Sequence, residues 1–111
     1  MALINLADVH DELVTPKHST AFGKLITGSH IEIGLLKYKA GEGAKEHSHP
    51  HEQIAICLSG RSRVTLGGEI FEVSTGQAVV IPPNVPHSVV ILEDSEMISA
   101  KSIVDGVGHR I

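Results

Sequence analysis

Tryptophan is absent and aromatic residues make up only 3% of the 111-residue chain, so its core must be built from Val, Ile and Leu. The β-branched members of that set favour strands. A single cysteine, Cys57, excludes an intramolecular disulfide. No Lys/Arg cluster occurs, and the formal net charge is -4 with a pI near 6.0. A nucleic-acid partner is therefore not expected, because phosphate backbones are gripped by basic stripes. No apolar run approaches the ~20 residues of a membrane-spanning helix, so no membrane role is expected. The start of the chain, Met1-Ala2-Leu3-Ile4-Asn5, has neither a basic stretch nor a long apolar one, which makes the cytoplasm the expected compartment. The length suits one domain with a real core.

What is present reads as strands. Leu3 to Leu13 is expected to form a short helix or an arm, so that residues 1–20 precede a single β domain over residues 21–111. Strand-like segments follow at Lys24–Ile26, Ile31–Lys39, Gln53–Leu58, Arg63–Leu66, Ile70–Val73, Ala78–Ile81, Ser88–Leu92 and Met97–Ile103. Gly67-Gly68 between Arg63-Val64-Thr65-Leu66 and Glu69-Ile70-Phe71-Glu72 is a tight-hairpin signal. Many short strands with Gly and Pro between them indicate an all-β sandwich or barrel.

Two segments carry chemistry. The first is His47-Ser48-His49-Pro50-His51-Glu52-Gln53; the second is Pro82-Pro83-Asn84-Val85-Pro86-His87. Side chains two apart on a strand share a face, so His47 and His49 can share one metal ion, with Gln53 at the same parity. His87 has to join them through tertiary folding. His51 shares that parity too, but a turn at Pro50 is expected to carry it to the solvated mouth of the pocket. Cys57 is expected to be either a buried inert thiol or a thiol near the site. His10, His18, His30 and His109 have no partner at ligand spacing and receive no role.

These segments resemble the two motifs of the cupins, small double-stranded β-helix barrels of jelly-roll type. The first motif is matched by Gly41, His47, His49, Gln53 and Gly60 at every spacing. The second is matched by Gly76, Pro82 and His87, with Asn84 in place of Gly and Ile91 in place of Asn. Asn tolerates the left-handed backbone that Gly would adopt. The resemblance implies a jelly-roll barrel, a metal site of His47, His49, Gln53 and His87, and a homodimer, with Leu3–Val9 and Ile31–Leu36 expected at its interface. The metal would be one divalent ion among Zn, Ni, Fe, Mn and Cu. A neutral amide at Gln53, where most metal cupins carry Glu, would leave the full dication charge available to polarise a substrate oxygen.

Within the cupins, the segment is similar to the small pectin-degradation enzymes that convert unsaturated uronates into linear ketones. Their catalytic Asp and aromatic residue correspond in this chain to Ser99 and Lys101. Either could move a proton, and Lys101 could also grip a carboxylate. The resemblance thus implies a metal-assisted isomerase, tautomerase or lyase for a small oxygen-rich substrate such as a sugar acid. An Fe(II) dioxygenase and a non-catalytic ligand-sensing barrel are the alternatives.

Overall fold

A computed structural model describes residues 2–111. Eight strands carry the fold: β1 (Glu12–Leu13), β2 (Phe22–Thr27), β3 (Ile31–Tyr38), β4 (Gly43–His47), β5 (Gln53–Leu66), β6 (Glu69–Ser74), β7 (Ala78–Ile81) and β8 (His87–Ser102). They join in one antiparallel sheet along the path β1-β2-β3-β8-β5-β6, with β4 added to β8 and β7 to β5. The architecture is the all-β jelly-roll barrel. No helix among the described residues is long and apolar enough to cross a membrane.

Burial follows the strand period of two. Along β3, Glu32, Gly34 and Leu36 point inward while Ile31, Ile33 and Leu35 line the outside. Two apolar clusters fill the barrel. One gathers Cys57, Val64, Val73, Val79 and Ile81; the other gathers Val14, Ala21, Leu25 and Leu36. Ile91, at the motif position where Asn was expected, is 1% exposed and belongs to the packed interior.

Four features differ from the expected strand pattern. Leu3 to Leu13 holds only a 3-10 turn at Leu6–Asp8 and the two residues of β1; Leu3, Ile4 and Leu6 are exposed, and so give a helix no buried face. β4 was not foreseen, because Gly43-Ala44-Lys45-Glu46 has little strand propensity and forms only by docking on β8. Gln53–Leu58 and Arg63–Leu66 are one strand, β5, and Ser88–Leu92 and Met97–Ile103 are parts of one long ladder strand, β8. The turn-like residues between them are bulges within continuing strands: the β5–β8 register slips at Cys57/Ser59, Ser59/Arg61 and Arg61/Ser62.

That irregularity is a corner. His87 and Ser99 would lie about 40 Å apart along a straight β8, yet both line one cavity with Gln53. β5 and β8 must therefore bend together, folding the sheet over itself. Gly60 makes the bend possible: its φ is 92°, and a Cβ there would lie 2.3 Å from both the Asp94 carbonyl oxygen and Ser95 Oγ.

Beyond β8 the chain turns through a Val104–Val107 bridge and closes one end of the barrel. His109 is 2% exposed, and its carbonyl accepts a 2.6 Å hydrogen bond from Thr15 Oγ1.

Candidate metal centre

His47 ends β4, His49 follows it in the connecting loop, and His87 opens β8 directly opposite His47 in the ladder. Asn84 sets up that return with a φ of 65°, the left-handed geometry anticipated for it. One nitrogen from each of the three rings lies within 4.8 Å of the other two. Each Nδ1 faces a backbone carbonyl: Lys45 at 2.7 Å from His47, His51 at 3.1 Å from His49, and Val85 at 2.9 Å from His87. A carbonyl can only accept, so in His47 and His87 Nδ1 carries the proton and Nε2 presents a bare lone pair, whereas in His49 both nitrogens face an oxygen at 3.1 Å.

Burial is the main cause lowering the proton affinity of all three rings, and Lys101 adds to it by repulsion; His49 is brought to about 4. Neutral imidazoles are what a divalent transition metal binds, so the donor set fits such an ion. His18, given no role from the sequence, stacks on His47 with centroids 4.7 Å apart and planes 8° from parallel.

Gln53, Ser99 and Lys101 are brought to the same cavity. A hydrogen-bond chain runs from Gln53 away from the histidines. Ser99 Oγ lies 2.9 Å from Gln53 Nε2 and 2.9 Å from His109 Nε2, and His109 Nδ1 lies 2.6 Å from Glu32 Oε1. Glu32 also accepts from the His109 backbone N–H and from Thr27 Oγ1, each at 2.6 Å. Burial pushes the Glu32 carboxyl up, but these hydrogen bonds outweigh it and hold the group below its ordinary value.

An ionised Glu32 fixes the direction of the whole chain. His109 Nδ1–H donates to Glu32, Ser99 O–H donates to His109 Nε2, and the Gln53 amide donates to Ser99. Gln53 Oε1 is then left facing His49 Nε2 at 3.1 Å. Gln53 Oε1 thus lies next to the three clustered histidines.

Lys101 is 3% exposed and has no acidic partner within 4.0 Å among the described residues. Burial lowers its proton affinity to about 8, with Glu32 opposing. The expectation for His51 needs correction: it is not a solvated loop residue but 2% exposed, because the closing segment covers it and its Nε2–H donates to the Val107 carbonyl at 2.7 Å. Cys57 lies in the apolar core, where burial pushes its thiol up, and it faces none of the metal donors.

Glu32 and His109 escaped the sequence reading because their contact spans 77 residues. One signal was available, a carboxylate at inward parity in the otherwise apolar run Ile31-Glu32-Ile33-Gly34-Leu35-Leu36.

A family model described as the Cupin domain matches residues 34–100. An RmlC-like cupin from Shewanella frigidimarina superposes with a TM-score of 0.81 at 17% identity, covering 95% of this chain and 93% of that one. KdgF from Halomonas sp. gives a TM-score of 0.77 at 27% identity, covering 92% and 93%. Bacillus subtilis oxalate decarboxylase, which has Mn(II) centres, gives 0.76 at 20% identity, covering 97% of this chain and 32% of its own. Among curated relatives, polyketide synthase CurC of Streptomyces cyaneus is 36% identical over 56 residues, 50% of this chain and 36% of that protein. An uncharacterised Streptomyces coelicolor protein is 27% identical over 67 residues, 60% of this chain and 64% of its own length. The chain spans less than two thirds of either curated relative.

Proposed function

The chain belongs to the cupin family, and on that premise we propose that it is a metal-dependent enzyme acting on a small oxygen-rich acid, such as a uronate, by isomerisation, tautomerisation or lyase chemistry. The observation that carries this reading is the convergence of three imidazole rings, one nitrogen of each within 4.8 Å of the others, beside a cavity that also receives Ser99 and Lys101. His47, His49, His87 and the Gln53 amide oxygen would hold one divalent ion, which when bound polarises a carbonyl or enol oxygen.

The protein's own groups do the rest. Lys101 supplies a cation in a buried cavity, where a substrate carboxylate would be its counter-ion. Ser99 supplies a hydroxyl at the reacting end. The inner walls are apolar, with Val14, Leu36, Val64 and Ile81 among them, and they exclude water from the proton transfer. The uronate assignment rests on the motif resemblance to the pectin-degradation cupins.

A second copy of this chain is the proposed partner. The outer face across β3, β8, β5 and β7 is a continuous apolar surface in which Ile33 and Ile54 flank Ala100, Leu35 and Ile56 flank Ile98, and Val80 pairs with Ile54. Ile54, Ile56, Leu58 and Val80 are 38–55% exposed, and a patch of this kind calls for cover.

Elemental analysis of untagged protein beside the His47→Ala/His49→Ala variant, followed by assay of the metallated form on unsaturated uronates, tests the reading. Stoichiometric metal that is lost in the variant, together with turnover, supports it. Metal with saturable binding and no turnover would favour a ligand-sensing barrel. Turnover only with Fe(II) and oxygen would favour a dioxygenase.

A further inference from the structure

We propose that Ser99, His109 and Glu32 form a proton relay, with Ser99 touching the substrate, His109 holding the transferred proton and Glu32 positioning the imidazole. The inference rests on the enzyme reading above and specifies how that enzyme moves its proton. The arrangement is a hydroxyl, an imidazole and a carboxylate in line, linked at 2.9 Å and 2.6 Å. That order of groups raises the proton-accepting power of a hydroxyl through its neighbours, whatever fold presents it.

Three further observations support it. Ser99 and His109 both line the cavity that holds Gln53, so the relay opens onto the metal centre. Its direction is fixed by Glu32, which leaves His109 Nε2 as an acceptor and the Ser99 proton aimed at it. Gly108 allows the closest approach: a Cβ there would come within 2.5 Å of Glu32 Oε1, so only glycine lets the chain bring His109 onto that carboxylate.

The step balances within one substrate. A proton leaves a substrate carbon or hydroxyl for Ser99 Oγ as the serine's own proton passes to His109 Nε2. The imidazolium is then stabilised by Glu32. The reverse sequence returns a proton to a different atom of the same substrate, so nothing is oxidised or reduced and the product is an isomer. Burial and then the Lys101 ammonium from β8 lower the proton affinity of His109 to about 4, His51 adds to this and Glu32 from β3 opposes it, while Ser99 from β8 and Thr15 from the loop after β1 hydrogen-bond to the residue. It touches none of the three metal-facing histidines.

The test separates this role from simple pinning of the closing segment. His109→Gln can still donate to Glu32 and accept from Ser99, but it cannot take up a proton. With the metal-loaded 111-residue protein and an unsaturated uronate, the wild type is expected to turn over. His109→Gln should lose ~100-fold or more in kcat, with KM little changed and the limb of the pH profile belonging to His109 gone. Should that variant fail to fold, Ser99→Ala, which leaves the His109–Glu32 pair intact, must show the same kcat loss.

An independent readout needs no turnover. In 15N-histidine NMR of the metal-free protein at pH 7, His109 is expected to be neutral with its proton on Nδ1; a proton on Nε2 would overturn the relay. Wild-type turnover with kcat and pH profile unchanged in His109→Gln would also overturn it while leaving the enzyme reading intact. No wild-type turnover would overturn the enzyme reading and the relay's catalytic use together.

Discussion

Lys101→Met should make the metal-free protein more stable. The ammonium is buried and has no acidic partner within 4.0 Å among the described residues, and it releases its proton at about 8 instead of 10.5. At ~1.4 kcal/mol for each tenfold change in proton affinity, holding the charge in the folded state costs about 3 kcal/mol. Methionine keeps most of the apolar stem and removes the charge. For a domain of this size the gain corresponds to a rise of ~10 °C in Tm.

The effect has a defined pH window. Below 8 both folded and unfolded chains bind the proton, and the full cost is present. Between 8 and 10.5 the unfolded chain binds it and the folded chain does not, so this lysine's contribution to stability rises with pH. The advantage of Lys101→Met should therefore be largest at pH 7 and shrink towards zero near pH 10.5. Urea unfolding of both proteins in chelator from pH 7 to 10.5 measures it. A variant no more stable than wild type at pH 7, or an advantage that does not change with pH, would refute the reasoning. A stabilising substitution at a site residue is expected where function keeps a costly group in place.

Gly108→Ala would put a methyl group 2.5 Å from Glu32 Oε1 and 2.9 Å from its Cδ, and should cost ~2–4 kcal/mol in thermal melts through strain and broken charged hydrogen bonds. Because His49 takes up a proton only at about 4, metal should stay bound in dialysis to about pH 5 and be released below that as protons compete for the rings. If the proposed pairing of two copies uses the outer apolar face, Ile56→Arg beside Ile98 should give a smaller species than wild type in sedimentation velocity without loss of metal. Cys57, buried and with its thiol pushed up, should react with a thiol reagent only after unfolding.

The cluster of three histidines was legible because its information is local. His47 and His49 are two apart, and the spacing to Gln53 and the Pro-rich approach to His87 are written into short stretches of chain. Jelly-roll class was legible for a related reason, since strand period and turn residues repeat along the whole sequence. The two long strands were not, because Gly60 and the Glu93-Asp94-Ser95 stretch look like turns and become bulges only when β5 and β8 bend against each other. His51 was misplaced because the residue that covers it, Val107, lies 56 positions away. The Glu32–His109 contact is hidden in the same way, and no periodicity reports on such pairs. Lys101 could be placed inside by parity, but its lack of a counter-ion is a fact of three-dimensional packing.

The corner at Gly60 works like the pivot of a pair of calipers. One jaw, the first half of β8 with β4, carries His87 opposite His47; the other, the second half, carries Ser99 and Lys101. The angle at that corner sets the gap between the three clustered rings and the serine hydroxyl, and it is set by a residue that is not itself part of the cavity wall.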